Sequence, residues 1–498
     1  MDARTTPAHA LSLVLGAIVG CSDRDVAMGS AGGGGDTTTT AGTASTTNGS
    51  ADSTSSADAT AASDASLGTA GGSPDCPVPG EYCTLIDVLI VVDDSATMAQ
   101  EQAHVAANFG PIVDALEGLV DAGGNPVEPS VNVMFTTTDV GHPLCADGGA
   151  PARRGAPVRD GCNSRIASFT DGAIDVQSAC TDVCPVDVVP TDPFVHFDIA
   201  GTNVPDGTPA QALSCLGPQG IHGCAYASPL EAMLLALDPT ACWNDPTQPG
   251  CADDPQWGDK PFLRDEAALA IIIISDGTEC SVDAPGGETY FTDDDVYWEI
   301  HPDTGTSAPS PAVCWNAGVA CDGPDETGAW SGCMSIDNPV LHPTDRYVDA
   351  LRELDEVSGR YVWMIGVLGV PEVTAHNPAS PFEPTAGGVD ALLERVWTEA
   401  DLTQAELDAG VTVAHKVWEF GNIAPGCANE RGTARFPNRV GEVCASRDVP
   451  DDPSTPDFDE SVTRCCVESL CDDDYTTAIK CLVQPLSVLK ASRPTRRG

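Results

Sequence analysis

The sequence predicts an α/β domain built on a doubly wound, mainly parallel central sheet and interrupted by cysteine-rich loops. Apolar runs at 86–92, 268–274 and 360–370 have the length and β-branched content of strands buried on both faces of a sheet. Between such runs apolar residues recur at helical spacing, as at Val105, Phe109, Ile112, Val113, Leu116 and Leu119. The third observation is the cysteine count of 21, concentrated in Pro- and Gly-rich stretches that separate these elements. No Cys-x-x-Cys pair recurs at zinc-finger spacing, so disulfides formed in an oxidising compartment account for them.

The elements follow in order along the 498 residues. Arg4 precedes an apolar stretch from Ala8 to Val19, too short to span a bilayer and suited to the h-region of a signal peptide. It ends Ile18-Val19-Gly20-Cys21, which resembles the lipobox of bacterial lipoproteins and makes Cys21 the expected lipidation site, with residues 1–21 as signal peptide. Ser22 after that cysteine, rather than Asp, points by the same resemblance to the outer membrane or cell surface. With Cys21 lipidated, the remaining cysteines are even in number and can all pair. Asp2 offsets Arg4, which leaves a non-lipidated secretory signal open. Residues 22–75 are Gly, Ser, Thr, Ala and Asp with almost no large apolar side chains, so they cannot offset their ordering entropy and should form a flexible tether. Cys76 and Cys83 flank a Pro-Gly turn and are expected to pair.

From there the folded part should run from 76 to about 490. The strand at 86–92 leads into a helix expected over Met98 to Leu119, and Val131 to Thr136 forms the next strand. A cysteine-bearing insertion follows at about 141–223, too long for an ordinary loop without bridges to order it. Pro229 to Leu237 should be a helix capped by Ser228, and Ala268 to Ile274 a central strand. A second insertion at about 280–338 holds Cys314, Cys321 and Cys333. Tyr347 to Val357 is expected as helix, Arg360 to Val370 as strand, and Tyr475 to Leu489 as the terminal helix of a cysteine-rich part at 427–481.

Charge narrows the partners. With 74 acidic and 23 basic residues the formal charge is −51, and the resulting field repels nucleic acid and anionic lipid alike, leaving the lipid anchor as the membrane attachment. Cations and basic surfaces are favoured, although such acidity also serves simple solubility.

The first strand ends in Asp93-Asp94-Ser95-Ala96-Thr97, a cluster of hard oxygen donors at a carboxyl-end loop, where open α/β sheets place their ligands. Carboxylates and hydroxyls suit Mg²⁺, or Mn²⁺ or Ca²⁺, rather than Zn²⁺. The same residues also suit a plain helix cap. Two further pieces recur at comparable places: Ser228-Pro229-Leu230 at a helix start, and Ser275-Asp276-Gly277 after the isoleucine run. Together these resemble the von Willebrand factor type A domain, in particular secreted lipoproteins of myxobacterial type that carry it. The flanking Cys215, Gly220, Cys224, Leu230-Glu231-Ala232 and Thr136-Thr137-Thr138-Asp139 look similar as well.

The resemblance implies a Rossmann-like sheet and a metal-ion-dependent adhesion site. Its ligands would be Asp93, Ser95 and Thr97 from the first loop, Ser228 from the second and Asp276 from the third. In that family hydroxyls bind the ion directly, carboxylates act largely through water, and an acidic group of a protein or other surface partner completes the shell. The implied function is a non-enzymatic adhesion protein; the alternative is a structural envelope lipoprotein with a degenerate site and metal-independent contacts. Neither Asp293-Asp294-Asp295 nor Asp472-Asp473-Asp474 has the Gly and distal Glu of an EF-hand, so both read as solvated turns or caps, and Asp448 to Glu460 as a surface loop. Histidines lack metalloprotease spacing, and neither a nucleophile elbow nor a phosphate-binding loop is evident.

Overall fold

The structure is a computed structural model that describes residues 84–492 apart from 121–123, 146–150, 173, 266, 357–359, 378–383 and 449–462. The expected lipidation site Cys21, the tether, the Cys76–Cys83 pair and most of the acidic loop from Asp448 lie outside the described residues.

Seven strands form one mixed sheet: β1 (Thr84–Val92), β2 (Pro129–Thr137), β3 (Val195–Asp198), β4 (Gly201–Thr202), β5 (Ala268–Ile274), β6 (Val362–Leu368) and β7 (Cys465–Ser469), in spatial order β7-β6-β5-β1-β2-β3-β4. The five from β7 to β2 are parallel, while β3 and β4 add an antiparallel edge. Seven helices cover it: α1 (Gln102–Ala107), α2 (Gly110–Glu117), α3 (Pro209–Leu216), α4 (Pro229–Ala236), α5 (Asp345–Glu356), α6 (Asn438–Ala445) and α7 (Thr476–Ser492).

Alternation along the strands divides the core. Ile86, Val88, Ile90 and Val92 of β1 face the layer of α1, α2, α3 and α7, and Leu89 and Val91 face α4, α5 and α6. Ile271 to Ile274 of β5 send side chains to both layers in the same way, each burial contributing about 1.5–3 kcal/mol. A sheet so covered on both faces is the α/β architecture expected from the sequence.

Three details differ from expectation. The helix expected over Met98 to Leu119 is a 3₁₀ turn at Ala96–Ala99 followed by α1 and α2, broken near Gly110-Pro111, because proline lacks the N–H that would continue the ladder. The segment 141–223 is only partly an insertion, since it supplies β3, β4 and α3 to the sheet and its covering layer. Ser228 stands at the start of α4 without capping it through its side chain.

Among the described residues nine disulfides tie the loops: Cys145–Cys224, Cys162–Cys180, Cys184–Cys215, Cys242–Cys251, Cys280–Cys314, Cys321–Cys333, Cys427–Cys471, Cys444–Cys465 and Cys466–Cys481. Residues between β6 and α6 pack against the 280–338 insertion. Trp330 illustrates this, its N–H donating to the Glu394 carbonyl at 2.8 Å and its indole N–H to the Asn422 carbonyl at 3.0 Å. The hairpin Cys427–Asn429/Gly432–Ala434 from that region reaches the carboxyl end of the sheet. No helix among the described residues is long and apolar enough to cross a membrane.

Candidate metal centre

Strand order decides where loops converge. The chain leaves β1 toward β2 on one side, whereas β5 pairs with β1 on the other, so a crevice opens at the carboxyl ends of β1 and β5. Register then aligns the residues. Val92 is opposite Ile274 on β5 and Thr137 on β2, which places Asp93 between Ser275 and Thr138. The Asp93 N–H donates to the Ile274 carbonyl at 2.9 Å, and the Thr138 N–H to the Val92 carbonyl at 3.2 Å.

Asp93 is fully buried and saturated by donors. Its Oδ2 accepts from Ser275 Oγ at 2.6 Å, and its Oδ1 from the Ser95 N–H at 2.9 Å and Thr138 Oγ1 at 3.3 Å. Ser95 Oγ lies 2.9 Å from Thr97 Oγ1, which donates to Asp276 Oδ1 at 3.1 Å. Four of the five residues singled out in the sequence, Asp93, Ser95, Thr97 and Asp276, thus form one hydrogen-bonded network, with half-buried Thr97 toward solvent.

The fifth is turned elsewhere. Ser228 Oγ donates to the Cys280 carbonyl at 2.7 Å and lies 3.2 Å from the Tyr226 carbonyl. Its backbone remains near the site, the Ser228 N–H donating to the Thr138 carbonyl at 3.0 Å. Thr138 is the hydroxyl that reaches Asp93 in its place, and the position of Thr138 one residue past the end of β2 is the signal that would have found it.

Further carboxylates crowd the crevice. Asp94 is buried, and a Cβ at Gly223 would fall 2.2 Å from its carboxyl group, so only glycine allows this approach; the Gly223 N–H donates to the Asp94 carbonyl at 2.7 Å. Glu101 is buried and accepts from the Thr433 N–H at 2.7 Å. Burial and the charges of Asp93 and Asp139 push Asp94 up to about 8. Burial and then Asp93 push Asp276 up to about 7 against the pull of Arg435, and burial with Asp276 holds Glu101 well above the usual carboxylate range. Arg435 faces Asp276, its guanidinium 3.9 Å from Asp276 Oδ2 and stacked 3.7 Å from the centre of the Phe420 ring, while the charge of Arg153 acts on Asp94.

The donor set fits a hard divalent cation. Asp94 Oδ1, Glu101 Oε2 and Asp276 Oδ2 are buried without a hydrogen-bond partner, and the side chains of Asp93, Ser95, Thr97 and Asp276 offer carboxylate and hydroxyl oxygens. A cation there would relieve the repulsion that raises these acids. Elsewhere among the described residues three groups of His, Cys, Asp or Glu ligand atoms lie within 4.8 Å of one another: His142/Cys145/Cys224, Cys162/Cys184/Asp187 and Cys466/Glu468/Cys481. All their cysteines are in disulfides. No protein-family model, curated protein or solved structure matches the chain.

Proposed function

We propose that the chain is a surface-anchored binding protein of the von Willebrand factor type A kind that grips an acidic group of a partner through a divalent cation. One observation carries this: Asp93, Ser95 and Thr97 of one loop and Asp276 of another meet at the switch point of the sheet in a single hydroxyl–carboxylate network. The ion supplies Lewis acidity toward the partner's carboxylate. Ser95 and Thr97 offer neutral oxygens, Asp93 and Asp276 supply negative charge around them, and Ser275 and Thr138 fix the orientation of Asp93. Mg²⁺ is the proposed ion, with Mn²⁺ and Ca²⁺ as alternatives. In this reading the lipid anchor at Cys21 attaches the chain to the outer membrane.

A second reading is favoured by Arg435, whose buried guanidinium already faces Asp276. An internal cation in that place suits a structural envelope lipoprotein whose contacts are metal-independent. Isothermal titration of Mg²⁺, Mn²⁺ and Ca²⁺ against wild type and Asp276→Ala separates the two. The adhesion reading expects binding by wild type that falls by at least about tenfold in the variant, and cell-surface adhesion that EDTA abolishes. Absence of binding by wild type, with adhesion indifferent to EDTA, leaves the structural reading.

A further inference from the structure

We propose that Cys466, Cys481, His376 and Glu468 form a second metal site of different chemistry, a four-ligand zinc centre that becomes available when the Cys466–Cys481 disulfide is reduced. This inference is independent of the adhesion site and of its ion.

Three elements converge there. Cys466 and Glu468 lie two residues apart on β7 and therefore on one side of the strand, Cys481 comes from α7, and His376 from the short strand Ala375–His376 beyond β6. One atom sits at the centre of the cluster. Glu468 Oε1 is 3.4 Å from Cys466 Sγ, 3.5 Å from Cys481 Sγ and 2.7 Å from His376 Nε2. In a tetrahedral zinc site with bonds of about 2.0–2.3 Å, neighbouring ligand atoms stand roughly 3.3–3.8 Å apart. Glu468 already holds that distance to both sulfurs, so the change required is separation of the two sulfurs and a movement of the His376 imidazole toward them, since Cys466, Glu468 and Cys481 are the three whose ligand atoms all lie within 4.8 Å of one another.

The surroundings point the same way. Glu468 is 1% exposed, the side chain of His376 7%, and Cys466 and Cys481 5% and 4%. Glu468 Oε2 is buried without a hydrogen-bond partner. A carboxylate removed from water in this way is stabilised by a cation. In the group of Cys162, Cys184 and Asp187 the two cysteines belong to separate bridges, so both would have to open.

The exchange balances. A dithiol reductant passes two electrons to the Cys466–Cys481 bond and closes to its own cyclic disulfide, while its two protons end on the two cysteine thiols. Zn²⁺ then displaces those protons, forms two zinc–sulfur bonds, and takes one imidazole nitrogen and one carboxylate oxygen. In both states β7 and α7 stay joined, so the helix remains docked on the sheet whichever bond holds it.

The test uses the full chain, incubated anaerobically with dithiothreitol and Zn²⁺, then desalted and assayed for zinc per chain. A parallel Co²⁺ sample is read for the visible bands of tetrahedral thiolate coordination. Wild type should hold a zinc equivalent that the Cys466→Ser/Cys481→Ser double variant lacks and the Cys162→Ser/Cys184→Ser double variant keeps. His376→Gln and Glu468→Gln leave every bridge intact, so their folding is verified by circular dichroism in the oxidised form; each should weaken zinc binding by at least about tenfold and alter the Co²⁺ spectrum. Failure of reduced wild type to retain this equivalent, or unchanged affinity and spectrum in both glutamine variants, overturns the proposal.

Discussion

Asp93 is held from three directions by Ser275, Ser95 and Thr138, so its orientation is set by neighbours on three different loops. This distinguishes two hydroxyls that the sequence alone does not separate. Ser228 spends its proton on the Cys280 carbonyl, whereas Thr138 spends its own on the Asp93 carboxylate. Titration of Mg²⁺ should therefore find affinity lowered by about tenfold or more in Thr138→Val, the cost of one hydrogen bond to a charged group, and changed by less than about twofold in Ser228→Ala. The reverse ranking would return Ser228 to the ion. Asp93, Ser95, Thr97 and Asp276 were legible because hard donors follow directly on apolar runs. Glu101 and Arg435 were not, since the first lies in a helical turn and the second beyond a hairpin more than 300 residues away, with no local pattern to mark either.

Elements bring the site together through the loops they carry. The Cys145–Cys224 bridge joins the loop after β2, which contains Asp139, to the loop before α4, where Gly223 packs on Asp94. It spans 79 residues, for which loop closure alone contributes about 4 kcal/mol. The Cys145→Ala/Cys224→Ala protein should lose about 2–5 kcal/mol in denaturant unfolding and also bind the ion more weakly. Removing Cys321–Cys333, which staples a hairpin of the 280–338 insertion, should leave ion affinity unchanged. Equal effects of the two bridges on affinity would show that the first does not position the centre. The β5 strand matched its sequence reading residue for residue, because an unbroken isoleucine run has one stable place in such a fold. The break after α1 was not read from the sequence, although Pro111 in the first turn of α2 marks a new helix start, and the sheet edge formed by β3 and β4 was not legible, being short and dependent on its antiparallel partner β2.

For the whole molecule, buried acids and the formal charge of −51 act in the same direction. Burial raises Asp94 to about 8 and Asp276, Glu468 and Asp472 to about 7, all from unfolded values near 4. A carboxyl whose folded value is raised contributes stability that is full below its unfolded value and is lost as pH rises through the folded value. The metal-free protein should accordingly show a Tm that falls between about pH 4 and 8, measured by scanning calorimetry in EDTA. Mg²⁺ should restore the part due to Asp94 and Asp276, and Asp94→Asn should shrink the fall; a Tm flat or rising over that range would contradict the burial of these acids. By itself the sequence determined the covered α/β sheet, its principal strands and the donor-rich ends of β1 and β5, because burial periodicity and turn chemistry are local. Only the tertiary structure decided which hydroxyl faces Asp93, which cysteines pair, and that Arg435 and Glu468 stand where cations matter. Those facts depend on strand order, register and long-range closure, which bring together residues that no spacing along the chain relates.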